Sequence, residues 1–354
     1  MVTPSTFWRG KRVLLTGHTG FKGAWLALVL ERLGANVTAA ALPPATTPNL
    51  WQLIERRLNC DSHSLDIRDE AAVRKLVAET QPDIVLHLAA RSLVRDAYAF
   101  PIETFATNIL GTVNLLNALR NGKNLTGVLC VTSDKVYENI EDDRAFAESD
   151  RLGGHDPYSA SKAACEIAVA SFDASYYRPA GIPLATVRGG NVIGGGDWAV
   201  DRIVPDLWRA ARTHQPVLLR HPGATRPWQH VLDCLYAYLL YAETLATKPA
   251  GTLPASLNIG PNSDEAAVPV AAVADRIGRE LGMKEAWRLA EGHHPPEKQR
   301  LRIDNRLAKE TLDWRPRLST EEALTLTADW YRAFDAGDDP FGITVAQVDR
   351  FFAV

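Results

Sequence analysis

Three glycines at fixed spacing, Gly17, Gly20 and Gly23, restrict this chain more than any other feature, because they sit between a β-rich segment and an amphipathic one. Arg12 to Thr16 reads as a short buried strand. Downstream, Trp25, Leu26, Val29, Leu30 and Leu33 share one side of a helix that Gly34 closes. A strand that turns through glycines into a helix gathers backbone N–H groups and the positive end of the helix dipole at one point, where a pyrophosphate binds. The spacing is G-x-x-G-x-x-G, a departure from G-x-G-x-x-G. The strand–turn–helix setting, more than the glycines themselves, carries the inference.

Strand and helix then alternate. A strand from Asn36 to Leu42 ends in Pro43 and Pro44, so its tip carries neither the acidic residue that holds a ribose 2′-hydroxyl nor the basic one that favours a 2′-phosphate. NAD and NADP are both open at this point. Ser64 to Ile67 looks like a third strand end before a helix from Asp69 to Glu79; Asp66 either accepts from an adenine amino group or caps that helix. Asp83 to Leu88 is an apolar strand running into Ala89 and Ala90, whose small side chains let backbone approach a flat ring or a phosphate. A helix from Glu103 to Leu119, a strand from Val128 to Val131, a helix opened by Asp156 and Pro157, and a strand from Pro183 to Val187 follow.

The expectation is an α/β fold, a Rossmann-like doubly wound parallel sheet with a smaller, mostly C-terminal α/β substrate-binding lobe. Residues 1–187 would form the dinucleotide-binding domain, rejoined by about 231–259, and 188–354 mostly the lobe. Residues 188–230, rich in Gly, Trp, Arg and Pro, suit ligand contact better than a continued sheet. Short strands are expected at Val217–Arg220 and Arg226–Val231, and a final helix from Thr320 to Phe334.

The chemistry concentrates in LCVTSDKVYEN and DPYSASKAACE. The first is a buried strand ending in Thr132, Ser133, Asp134 and Lys135. In the second, Tyr158 and Lys162 lie four apart and so share a helix face. An ammonium beside a phenol favours the phenolate and lowers its pKa toward neutral, as a general base needs. Such a pair is most often a surface contact, and an Asp after a strand is usually a turn residue. The nucleotide signature preceding them, in the order the chemistry requires, favours a catalytic reading.

The formal net charge of −3 and the lack of a Lys/Arg block argue against a nucleic-acid or membrane surface. Cys60, Cys130, Cys165 and Cys234 are far apart and imply neither a disulfide framework nor a metal site. MVTPSTFWRGKR has no apolar signal-peptide core and no run reaches membrane-spanning length, so a cytoplasmic location is expected.

GHTGFKG, SDKVYEN, GGHDPYSASK, GGNVIGGGDWAVDRIVPD and RPWQHV resemble the motifs of the extended short-chain dehydrogenase/reductase family, and within it those of its nucleotide-sugar dehydratases, across essentially the whole chain. The resemblance implies a lyase of deoxysugar biosynthesis acting on CDP-glucose with NAD as a returned hydride carrier. It implies Tyr158 as base for the sugar 4-hydroxyl, Lys162 as the cation that tunes Tyr158 and holds the nicotinamide ribose, and Ser133 as donor to the 4-oxygen. Asp134 would be the acid for the C6 hydroxyl. Lys135, where dTDP-sugar dehydratases carry glutamate, would be either the C5 base or a stabiliser of the enolate, with the base favoured. Cofactor contacts are expected from Gly17, Gly20, Phe21, Lys22, Gly23, Asp66, Ile67, Leu88, Ala89, Ala90, Thr107 and Thr132, besides Tyr158 and Lys162. Substrate contacts are expected from Asn191, Trp198, Arg202 and Arg226, with Trp228 a further flanking ring. No metal is implied. A homodimer, paired through helices such as 103–119, is expected. Relatives usually carry Gln at Arg91 and an Arg-Ser pair at Asp96-Ala97, which puts fine substrate preference in question. Two other readings compete with it: a nucleotide-sugar 4-epimerase, which has no use for Asp134 and Lys135, and a silent nucleotide sensor, which has no need of Tyr158, Lys162 and Ser133 together.

Overall fold

The computed structural model describes residues 6–140, 144–262, 267–292 and 300–353; residues 1–5, on which part of the signal-peptide expectation falls, lie outside it. Seven strands form the central sheet: β1 Arg12–Thr16, β2 Asn36–Ala41, β3 Asp61–Ser64, β4 Ile84–His87, β5 Gly127–Val131, β6 Leu184–Gly189 and β7 Ser256–Ile259. Their order is β7-β6-β5-β4-β1-β2-β3, and every pairing is parallel. β4, β5 and β6 are buried along their whole length, as expected of strands covered by helices on both faces. The order reverses between β1 and β4, so the carboxyl ends of those two strands open a crevice at the switch point, where such sheets take ligands.

Three helices matter most for the site: α1 Phe21–Arg32, α2 Pro157–Phe172 and α3 Val231–Thr247. α2 starts where Asp156 accepts hydrogen bonds from the Ser159 backbone N–H at 2.9 Å and its hydroxyl at 2.6 Å. Asp69, not Asp66, caps the helix Glu70–Thr80, through the Ala72 N–H at 3.0 Å. The single helix expected over 103–119 is instead Pro101–Phe105 and Thr112–Leu119 joined by a π-helical stretch, Ala106–Gly111. The wider turn carries Asn108 inward, where its side chain bonds the Arg91 backbone in both directions and donates to Ser161 at 2.8 Å. Periodicity alone does not show one inserted residue.

β7 pairs with β6 (Ser256 beside Thr186), so the chain returns to the sheet after residues 188–230. Those residues and the C-terminal part build the second lobe. Its centre is aromatic: Trp198 meets Trp208, Trp330 and Phe334 edge-on. Gly195 is obligatory there, since a Cβ would lie 1.9 Å from Trp330 Cγ. RPWQHV forms two separate two-residue strands, Thr225–Arg226 and Gln229–His230, because Pro227 and Trp228 interrupt the extended run. The helix at Thr320–Asp335 opens with a full capping box between Ser319 and Glu322. Another helix, Pro340–Ala353, follows it.

Asp233 joins the lobes. Buried at the start of α3, it accepts from the backbone N–H groups of Arg317 at 2.7 Å and Leu318 at 3.1 Å. Burial pushes its carboxyl up to about 7, against the opposing pull of those two donors. A folded-state value above the unfolded one means that the folded chain holds the proton more tightly. The stabilisation is therefore complete below about pH 4 and lost as pH rises through 7. Asp233→Asn, neutral throughout, should gain on the wild type in Tm as pH rises from about 5 to about 8. A Tm difference that is flat with pH would contradict this.

Candidate active site

At the switch point lies one continuous cleft of about 870 Å³, lined by every residue that the sequence singled out for cofactor, substrate or chemistry. The glycine turn forms one wall. Gly17 has φ +83°, and a Cβ on it would come within 2.6 Å of the Ala89 backbone nitrogen. A Cβ on Gly23 would lie 2.1 Å from the Gly17 carbonyl. The turn, the first turn of α1 and the Leu88–Ala90 backbone thus close on a narrow cradle that only glycine permits, which fits a dinucleotide pyrophosphate. A buried relay holds it. The Ala89 N–H donates to Thr16 Oγ1, and His87 bridges Thr16 at 2.6 Å and Thr112 at 2.9 Å, with Thr112 donating to the Asn108 carbonyl. Burial lowers His87 to about 3, so the ring stays neutral and links hydroxyls rather than charges.

Ile67 and Thr107 line the far end of the cleft with Asp66. Asp66 is committed to Arg68, whose Nε and Nη2 reach its carboxylate at 2.9 and 2.5 Å, and that bond lowers its pKa. An adenine amino group would share an acceptor already engaged. Lys22 turns inward from α1, donating to the Tyr238 hydroxyl at 3.3 Å.

The reacting groups sit where β5 ends. Asp134–Val136 forms one 3₁₀ turn, started by Ser133, whose Oγ accepts from the Lys135 N–H at 3.2 Å and donates to Asp134 Oδ1 at 3.1 Å. Asp134 is 3% exposed, and its Oδ2 has no hydrogen-bond partner among the described residues. A Cβ on Gly190 would stand 3.2 Å from that oxygen, so glycine there leaves it room. Burial raises the Asp134 pKa, opposed by Lys135, Ser133, Arg226 and Lys22. A carboxyl held part-neutral with a free oxygen on a cleft can donate a proton.

Tyr158 and Lys162 project from α2 toward the same place, where the Ser133 hydroxyl favours the Tyr158 phenolate. Among the protein's own groups, burial pushes the Tyr158 phenol up to about 12, and Ser133 supplies the principal pull downward. Lys162 is itself buried, which lowers its pKa, and its Nζ donates to the Val131 carbonyl at 3.0 Å. That bond holds the amine to β5. Lys135 is half-buried at the turn.

On the substrate side, Arg226 is buried, donates to the Thr225 carbonyl at 2.8 Å and acts on Asp134. Arg202 pairs with Asp197 at 3.0 Å and reaches Ser92 Oγ at 3.3 Å across the cleft mouth. Asn191 and Trp228 line the cleft, Trp228 anchored by its Nε1 to the Val268 carbonyl at 3.0 Å. Trp198 shows the cleft only part of its surface and packs mainly in the aromatic core, so a role as a free flanking ring is corrected. Arg91 and Asp96, the two charged departures, prove to be partners: Arg91 Nε and Nη2 reach Asp96 Oδ2 at 3.1 and 2.7 Å, with the guanidinium over Phe100.

Residues 14–327 match the family model for GDP-mannose 4,6-dehydratases. The chain belongs to this family. Among curated members it is 42% identical to a CDP-glucose 4,6-dehydratase from Salmonella typhimurium over 338 residues, 94% of each chain. It is 30% identical to a dTDP-glucose 4,6-dehydratase from Xanthomonas campestris pv. campestris, over 90% of this chain and 92% of that one. Solved structures agree on the fold. A dTDP-glucose 4,6-dehydratase from Bacillus anthracis in complex with NAD superposes with a TM-score of 0.76 at 23% identity, covering 93% of this chain and 99% of that one. A UDP-glucose 4-epimerase from Stenotrophomonas maltophila with bound NAD gives 0.80 at 22% identity, covering 92% and 99%. The cleft wall also rests on residues that carry no motif of their own: Thr16, His87 and Asn108 in the relay behind the glycine cradle, and Tyr238 beneath Lys22.

Proposed function

We propose that the chain is an NAD-dependent lyase that converts CDP-glucose to CDP-4-keto-6-deoxyglucose. The observation that carries this is the Asp134–Lys135 pair, set on one turn beside Ser133 and Tyr158. A 4-epimerase has no use for that pair. The cytidine assignment draws on the Salmonella typhimurium relative, and the NAD assignment on the family and on the glycine cradle.

Gly17, Gly20 and Gly23 would hold the cofactor pyrophosphate by backbone, Ile67 and Thr107 the adenine end, and Lys162 the nicotinamide ribose. When bound, NAD supplies the hydride acceptor for C4 and the donor for C6, and its oxidised ring carries a positive charge that favours the Tyr158 phenolate. Tyr158 takes the 4-hydroxyl proton while Ser133 bonds the 4-oxygen. The resulting ketone acidifies the C5 hydrogen, so oxidation must come before elimination. Lys135 removes the C5 proton, and Asp134 delivers its proton to the C6 hydroxyl, which leaves as water. Lys135 then returns a proton to C5 as C6 regains hydride. Arg226 faces the diphosphate, where a guanidinium binds bidentately. Exposed Ile102, Leu110 and Ile167 lie on the helices that would pair in a homodimer, and the setting is cytoplasmic. No described helix is long and apolar enough to cross a membrane.

The test is a comparison of kcat/KM for CDP-, dTDP-, UDP- and GDP-glucose. CDP-glucose should lead by at least about ten-fold, roughly what leaving one polar recognition group unpaired costs. A lead by another nucleotide would overturn the cytidine assignment and leave the dehydratase standing.

A further inference from the structure

A buried polar network behind the cleft is not used by this mechanism. Glu166 and Arg188 pair at 2.8 Å with both side chains about 5% exposed or less. Glu166 lies one turn beyond Lys162, on the face of α2 that carries Tyr158 and Lys162. Its carboxylate accepts from Thr132 Oγ1 at 2.5 Å and Thr186 Oγ1 at 2.8 Å. Arg188, on β6, donates from its other nitrogen to the Tyr137 hydroxyl at 2.9 Å, and that hydroxyl donates to Asn258 Oδ1 at 2.6 Å. Asn258 in turn donates to the carbonyls of Phe146 and Asp304.

The connectivity brackets the catalytic turn. Thr132 stands two residues before Asp134, and Tyr137 directly follows Val136, the last residue of the turn. Both side chains return to the same Glu166–Arg188 pair. Tyr137 is 2% exposed and does not line the cleft, so it touches neither substrate nor cofactor. Its ring stacks on Phe146 at 5.0 Å and 7°.

We infer that Tyr137 is a positioning residue for the elimination half of the reaction: its hydroxyl, held between Arg188 and Asn258, fixes the turn bearing Asp134 and Lys135 against the helix bearing Tyr158 and Lys162. The inference rests on the proposed dehydratase reading. Oxidation at C4 uses Tyr158 and Lys162, which α2 holds without Tyr137, and Ser133, which follows Thr132 and its own bond to Glu166. Elimination across C5 and C6 uses Asp134 and Lys135, which move with the turn. Loosening the turn therefore slows the second step more than the first.

Tyr137→Phe keeps the stacked ring and removes only the hydroxyl. In single turnovers of NAD-loaded enzyme with CDP-glucose, the rate of C4 oxidation should stay within about two-fold, while elimination slows about ten-fold and KM changes little, since small misplacements of catalytic groups act on kcat. Reduced nicotinamide should then build up, visible by its absorbance, and deuterium uptake at C5 should lag. Phe146→Leu is the control: it removes the stacking partner and leaves the hydroxyl's bonds, so it should lower Tm without that build-up. The inference is overturned if Tyr137→Phe keeps the wild-type ratio of the two rates, or if Phe146→Leu produces the same build-up. A wild-type enzyme that releases no water from CDP-glucose would overturn the functional reading instead.

Discussion

Tyr158→Phe should lower kcat by roughly 10²- to 10⁴-fold, the usual contribution of a positioned general acid–base group, while leaving KM and NAD affinity nearly unchanged. The split follows from the geometry. The phenol reaches the cleft beside Ser133, while the ring is buried in the wall, so phenylalanine keeps the packing and loses the proton acceptor. Burial acts against the phenolate, so the fraction of base rises with pH and hydride transfer should rise with it. The variant should lose that pH dependence along with its rate. Measuring kcat against pH for both proteins checks the prediction, and a variant within ten-fold of wild type would remove Tyr158 from the base role.

The second large effect concerns stability. Glu166→Ala leaves Arg188 buried without its counter-charge and strips Thr132 and Thr186 of their acceptor. Removing one member of a buried pair costs about 3–5 kcal/mol, so a marginally stable domain should show a large drop in denaturation midpoint. Exposed pairs such as Arg288–Glu285, held at 2.5 Å, are screened by water and contribute little by comparison. Urea unfolding of Glu166→Ala beside Glu285→Ala separates the two cases. Equal midpoints would show that the buried pair contributes no more than a surface one.

The chain also shows what a sequence can and cannot disclose. Strands β1, β4 and β5 were legible because they are continuous apolar runs flanked by Gly, Pro or Asp, and the glycine turn because its backbone geometry admits no side chain. α2 was legible from its Asp-Pro start. The π-helical stretch at Ala106–Gly111 was not, since one inserted residue leaves the apolar pattern almost unchanged while turning Asn108 inward. The motif residues were legible one by one, but their partners were not. Nothing in the sequence says that Lys162 is held by the Val131 carbonyl, that Asp66 is engaged by Arg68, or that Arg91 and Asp96 answer each other. Those are long-range or side-chain facts decided by packing. A helix spacing shows which side chains are neighbours and says nothing of how deeply they are buried, and burial is what raises the Tyr158 pKa.

The central claim is that Asp134 and Lys135 turn an oxidoreductase site into a dehydratase. Incubating the protein with CDP-glucose in deuterated water, followed by mass spectrometry and proton NMR, tests it most directly. The expected product is a 4-keto-6-deoxy sugar that has lost one water and gained one deuterium at C5. Recovery of a galactose-configured sugar with its water retained would contradict it, and would assign the site to epimerisation.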